Sequence, residues 1–301
     1  MLDYAALSAL AAVVREGSFE RAARALHVTP SAISQRVKLL EDRVGCALVV
    51  RGQPCRATDT GQRLCRHVDQ VRLMEHELRE VLPAMGTDDA LPPQLRRVTL
   101  PVAVNADSLA TWFAPAAARF AAEAPVLLQV TVDDQDHTAQ RLQSGAVLAA
   151  VTARATPANG CNSQPLGAMR YVASASPAFM AQHFSSGVNA RTLAAAPSLV
   201  FDRKDELQAR WVRRQCRRDV ELPSHALPST QAFIDANLAG MGWGMQPLQL
   251  VQPLLQRGAL VELVPGATLD VRLYWQHARA ASSLLEGLTR AVAAAARESL
   301  R

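Results

Sequence analysis

At 301 residues the chain exceeds one typical domain, and two or three units with ample core are expected. Its 32 Lys and Arg against 27 Asp and Glu leave a formal charge of +5, which excludes a protein coated with nucleic acid and suits one that meets DNA through a single small face. Cysteines at 46, 55, 65, 161 and 216 form no CxxC and no Cys/His cluster, so reduced, structural thiols in a cytoplasmic protein are expected, with no metal or cofactor.

The N-terminal stretch MLDYAALSALAAVVREGSFE has no basic region before its apolar run and is broken by charge, and no later segment is long enough to span a bilayer. Neither signal peptide nor membrane span is expected. Leu7, Leu10, Ala11 and Val14 instead form the stripe of a supporting helix. Ser18 can cap a helix from Phe19 to about Leu26, with Glu20 in its first turn and small Ala22 and Ala23 for a close crossing. Thr29 can cap a second, with Pro30 at its first position. Its Ile33, Val37 and Leu40 make a buried stripe, while Ser31, Ser34, Gln35, Arg36 and Lys38 are left to face outward. Such a face suits DNA: short hydroxyls let the backbone approach, Gln can read adenine edges, and Lys or Arg answers phosphate or guanine.

A polar face alone would describe any solvated helical hairpin; the eighteen or so residues after the helix add the weight. VGCALVVRGQPCRATDTG reads as a short strand, a turn at Gly52 to Pro54 and a return strand, the wing of a winged helix-turn-helix. Arg51 and Arg56 flank that turn, placed for phosphate or minor-groove contact. Between Pro30 and Arg66 the basic residues 36, 38, 43, 51, 56, 63 and 66 stand against acids 41, 42 and 59, a local charge of +4. Thr58 then opens a long helix from about Asp59 to Leu82, with Leu64, Val68, Val71, Met74, Leu78 and Val81 at three/four spacing. A rod of this kind pairs with its own copy or packs on its own chain. Pro83 to Gln94 has the composition of a hinge.

From Val98 strands and helices alternate, which argues for an α/β domain of parallel sheets covered by helices. VTLPVAV, VLLQVTV and AVLAAVTA are strands, with helices at Ser108 to Ala122 and His137 to Gln143. Strand signals near Arg170 to Ser174 and 199 to 201, and helices at Pro177 to His183, Glu206 to Arg218 and Thr230 to Ala239, open a second lobe. VRLYWQHA and a helix from Ser282 to about Glu298 return to the first. The expected division is a DNA-binding domain 1–58, a linker helix 59–82, a hinge 83–97 and an effector domain 98–301, with lobe I at 98–164 and 267–301 and lobe II at 165–266. Two such lobes leave a cleft, the default ligand site.

The runs ERAARALHVTPSAISQRVKLLE, AVNADSLATW at 103 to 112, VFD at 200 to 202 and LYW at 273 to 275 carry a resemblance that spans the chain. It resembles the LysR-type transcriptional regulators, and within them the arginine/lysine-responsive ArgP (IciA)/LysG subgroup. The resemblance implies a winged helix-turn-helix, a linker-helix homodimer or homotetramer and a two-lobed periplasmic-binding-protein-like effector domain. It further implies control of a basic amino-acid exporter gene and L-lysine or L-arginine as effector; operator DNA is the expected partner, with RNA polymerase a further candidate. Pro30 departs from the Gln that many members carry there, and the wing sequence Gly52 to Cys55 departs too.

In the effector domain Asn105, Asp107 and Ser108 lie where a strand end meets a helix N-terminus, a place that favours an α-carboxylate. The alternative is that Asp107 and Ser108 merely cap the helix. Asp133 and Asp134 follow the next strand and could hold an ammonium or guanidinium, or be a solvated turn. Thr152 and Asp202 end strands in the two lobes, and Ser229 and Thr230 could reach in from a second-lobe helix. The basic run Arg203 to Arg218 is read as a solvated helix face over buried Trp211 and Val212, and the tryptophans 112, 211, 243 and 275 as packing residues. No nucleophile elbow, phosphate loop or metal-spaced set argues for an enzyme. The competing function is an effector-independent DNA binder in replication control or DNA architecture, which the same head would serve.

Overall fold

The computed structural model describes residues 3–81, 98–123, 126–132, 135–281 and 285–301. The hinge expected at 83–97 and the acids Asp133 and Asp134 lie outside them.

The head is built by capped helices on a small core. Helix α1 (Tyr4–Glu16) is capped by Asp3 and buries almost its whole circumference; Val13 is in the core while Val14, expected there, is only partly covered. Helix α2 (Phe19–Ala25) takes its cap from the Ser18 hydroxyl, and α3 (Pro30–Val44) from Thr29, whose hydroxyl accepts from the Ala32 N–H at 3.2 Å. Ile33, Val37 and Leu40 are buried as their spacing predicts. The wing comes next, β1 (Val49–Val50) antiparallel to β2 (Arg56–Ala57). Its tip is tied down: the Cys55 N–H donates to the Gly17 carbonyl at 2.8 Å, and a Cβ on Gly17 would come within 2.8 Å of the Pro54 Cβ. Glycine there also takes a φ of +65°, open to it without strain.

Helix α4 (Asp59–Val81) starts at the Thr58 hydroxyl, which accepts from the Gly61 N–H at 3.1 Å. Its 23 residues span roughly 35 Å. Leu64, Cys65 and Val68 pack into the head core, but Met74 and Leu78 are 54% and 44% exposed. The first turns therefore belong to the head, and Met74 and Leu78 further along the stripe are exposed.

The C-terminal domain is organised on one curled sheet of seven strands. The first three are parallel: β3 (Thr99–Val104) lies between β4 (Leu127–Val132) and β5 (Ala149–Thr152). Helix α5 (Ala106–Ser108), a π-helical turn (Leu109–Phe113) and α6 (Ala114–Glu123) lead from β3 towards β4, and α7 (Gln135–Gln143) towards β5. The expected second lobe has a separate parallel sheet of only two strands, Ser198–Val200 beside Ser224–Ala226. In addition, β6 (Cys161–Ala175), three times the length read from sequence, crosses into the lobe and pairs antiparallel along β11 (Thr268–Ala278). Those two long strands serve both lobes, because their alternating apolar side chains are covered by helices at both ends.

The second lobe adds α8 (Pro177–His183), α9 (Ala190–Ala195), β7 (Ser198–Val200), α10 (Leu207–Cys216), β8 (Ser224–Ala226), α11 (Thr230–Leu238), β9 (Gly244–Pro247), α12 (Leu248–Gln256) and β10 (Val261–Glu262). Here β9 and β10 pair with the far end of β6. Helix α13 (Glu286–Ser299) then returns to α6, joined by the Arg119–Glu298 pair at 3.0 Å. Trp112, Trp211, Trp243 and Trp275 are all fully buried, and Trp211 packs against Trp243 with ring centroids 5.6 Å apart and planes tilted by 49°. The basic residues of α10 are outward, over buried Trp211 and Val212.

Candidate DNA and effector sites

The outward face of α3 presents Ser31, Gln35 and Lys38 exposed, with Ser34 and Arg36 half-buried. The buried stripe fixes this orientation from behind. Ser31 and Ser34 line a concavity of about 1040 Å³ shared with α2 and the wing, and Arg51 stands on its other wall. The Arg51 guanidinium sits 5.5 Å over the Phe19 ring, which holds the wing cation toward that concavity. Arg56 is exposed on the return strand. Two cations escaped the sequence reading: Arg21 and Arg24 of α2 line the same concavity. They were legible as basic residues one turn apart, but only the fold shows that α2 shares a wall with α3. Glu20 also lies there, its carboxylate accepting from the Ser18 hydroxyl at 2.6 Å, which holds its pKa below the usual carboxylate value.

The second site lies at the C-terminal end of β3. Because β3 has its successor β4 on one side and β5 on the other, the strand order reverses there, and crevices form at such points. Asn105, not Asp107 or Ser108, caps the helix: its side chain accepts from the Ser108 N–H at 2.7 Å. That frees Asp107, whose carboxylate turns across the cleft. It accepts from the Tyr171 hydroxyl at 2.8 Å and the Thr230 hydroxyl at 3.0 Å. Burial pushes the Asp107 pKa up, the two hydrogen bonds oppose this, and the charge of Asp205 adds to the rise. Burial, and then the Asp107 charge, keep the Tyr171 hydroxyl protonated far above its ordinary range, so it remains a donor.

Around Asp107 and Thr230 the cavity is closed by Phe201, Asp205, Phe233, Ile234, Met245, Gln246 and Pro247. No Lys, Arg or His is among these lining residues. The free space is about 30 Å³, room for one water molecule. Ser108 is fully buried, and its Oγ meets no hydrogen-bond partner.

Other expected residues are elsewhere. Thr152 is buried and accepts from the Arg154 N–H at 3.1 Å, closing a turn. Ser229 caps α11 through the Ala232 N–H at 3.3 Å. Asp202 accepts from the Lys204 N–H at 2.7 Å and is not a lining residue; three positions on, Asp205 is. The loop turns on Asp202 and brings Asp205 inward, where it also accepts from the Phe201 and Leu207 N–H groups. Tyr171, Asp205 and Gln246 were missed because nothing in their spacing joins them to Asp107.

The profile described as "Bacterial regulatory helix-turn-helix protein, lysR family" matches residues 4–62, and "LysR substrate binding domain" matches residues 93–297. The chain belongs to the LysR family of transcriptional regulators. As such a regulator it is 47% identical over 289 residues to "HTH-type transcriptional regulator ArgP" of Pseudomonas fluorescens Pf0-1, covering 96% of this chain and 95% of the relative. It is 46% identical over 295 residues to "HTH-type transcriptional regulator LysG" of Mycobacterium tuberculosis H37Rv, covering 98% and 94%. Among solved structures, ArgP from Mycobacterium tuberculosis aligns over 100% of this regulator and 99% of its own chain at 45% identity and a TM-score of 0.77. Full-length LysG from Corynebacterium glutamicum with bound effector Arg aligns over 100% of both chains at 36% identity and a TM-score of 0.67. The regulator is thus of the ArgP/LysG type, and its named relatives regulate transcription rather than catalyse reactions.

Proposed function

We propose that this regulator senses L-arginine or L-lysine in the cleft between α5 and α11 and, through its winged helix, controls a promoter whose product exports basic amino acids. The observation that carries the effector class is the cavity lining: two carboxylates, Asp107 and Asp205, with no cation beside them. Such a lining rejects an anionic effector and favours one with a net positive charge. The arginine bound to the related LysG supports the same class.

On the DNA side, Ser31, Ser34, Gln35, Arg36 and Lys38 enter the major groove on α3, while Arg51 and Arg56 of the wing and Arg21 and Arg24 of α2 hold phosphates. The uncovered stripe at Met74 and Leu78 pairs with α4 of a second copy, which sets two heads side by side. RNA polymerase is the further partner of the DNA-bound assembly.

Calorimetric titration of the purified regulator with L-arginine, L-lysine and L-leucine tests the effector. Saturable binding of the two basic amino acids, weakened roughly thirtyfold or more by Asp107→Asn, is expected. Binding of L-leucine with equal affinity, or of none of the three, removes the assignment.

A further inference from the structure

Gln246 is the residue of the effector cavity whose polar atoms are left over. Its side chain is 1% exposed, at the third position of β9, held there by pairing with Val172 of β6. Neither Nε2 nor Oε1 meets a hydrogen-bond partner within the protein, though both are out of contact with solvent. A primary amide buried in this way gives up its hydrogen bonds to water and gains none within the protein. A leucine or methionine would fill the same space among Phe233, Ile234 and Met245 without that cost. Both polar atoms of this amide are thus left without a partner inside the fold.

The chemistry around it narrows that use. A basic amino acid brings three groups: a side-chain cation, an α-ammonium and an α-carboxylate. Asp107 and Asp205 supply acceptors for the cations, but the carboxylate needs donors, and the lining carries no Lys, Arg or His. The Thr230 hydroxyl already donates to Asp107, and Tyr171 is likewise committed. Among the lining side chains, Gln246 Nε2 is the donor still free, and Oε1 beside it can accept from an N–H on the same ligand. We propose that Gln246 recognises the amino-acid head group of the effector, its Nε2 donating to the α-carboxylate and its Oε1 accepting from the α-ammonium, so that decarboxylated amines of the same side chain are discriminated against. This inference rests on the reading of the cavity as a basic amino-acid site. It assigns to one neutral side chain the task that an arginine performs in other carboxylate pockets, without placing a cation beside the one to be bound.

The test compares L-arginine with agmatine, which keeps the guanidinium and lacks the carboxylate, by competition titration on the full-length wild type and on Gln246→Leu. Leucine is close in volume and leaves no polar atom unpaired, and a thermal unfolding curve on each protein checks that both fold. The wild type is expected to prefer L-arginine by tenfold or more, and Gln246→Leu to lower arginine affinity roughly tenfold while leaving agmatine within about twofold. A Gln246→Leu variant that keeps the wild-type ratio of arginine to agmatine, whether both affinities persist or both fall, overturns the proposal. A wild type that binds neither L-arginine nor L-lysine instead overturns the effector class on which it rests.

Discussion

On the proposed reading, Asp107 serves effector binding at a cost to the stability of the fold. Burial raises its pKa, so the folded chain holds this proton more readily than the unfolded one does. Its contribution to stability is therefore full at low pH and is lost as pH rises through the folded-state value. Asp270 and Glu298 run the other way, each with a pKa lowered by an arginine partner, so their contributions are lost as pH falls. The Asp107 part is isolated by difference: Asp107→Asn should melt at a higher temperature than the wild type near neutral pH, with the gap closing as the solution is acidified. An unchanged gap across that range, read by calorimetric unfolding, would show that the carboxyl titrates normally. On the DNA face, Gln35→Ala should cost roughly 1–3 kcal/mol at one base position only, measured by affinity across substituted operators. Arg51→Ala should weaken all sequences alike and reduce the salt slope by about one. The outward face of α3 was readable residue by residue, because caps and a buried stripe dictate which side of the helix is exposed. The cleft cavity was readable only in part. Asp107 and Thr230 stood at element starts where ligands gather, whereas Tyr171 and Gln246 sit within strands and look like packing residues until the fold brings them together.

At the scale of elements, the head depends on one close approach. A Cβ at Gly61 would run into the Leu48 carbonyl oxygen and carbon, backbone atoms that cannot swing aside. Gly61→Ala should therefore cost about 1–3 kcal/mol in the head, seen as a lower denaturation midpoint and weaker DNA binding, with arginine affinity unchanged. Helix α4 was legible in length and stripe, down to its Thr58 start, because three/four periodicity over so many turns has one structural solution. The long strands β6 and β11 were not. Each of their halves reads as an ordinary strand, and only pairing across about a hundred residues of sequence makes them a shared spine. The π-helical turn at Leu109–Phe113 was equally hidden, since it places Trp112 and Phe113 in the core by a shift that apolar spacing does not encode.

Across the whole molecule, the effector cavity and the DNA face lie in different domains, so regulation requires that ligand in one alters the other. The cavity as it stands has space for about one water, and the Asp107–Thr230 hydrogen bond closes it across the cleft. If the proposed basic amino acid binds there, it displaces Thr230 from Asp107, and α11 then shifts against α5. A ligand that makes no differential contact between the two arrangements could shift nothing. The decisive measurement is a footprint on a DNA fragment selected by the regulator from its own genome, with no addition, with L-arginine, with L-lysine and with L-leucine. The basic amino acids are expected to change the length or hypersensitivity pattern of the protected region while L-leucine does not. An identical footprint under all four conditions would contradict effector control, leaving a DNA-binding protein whose cleft does not speak to its head.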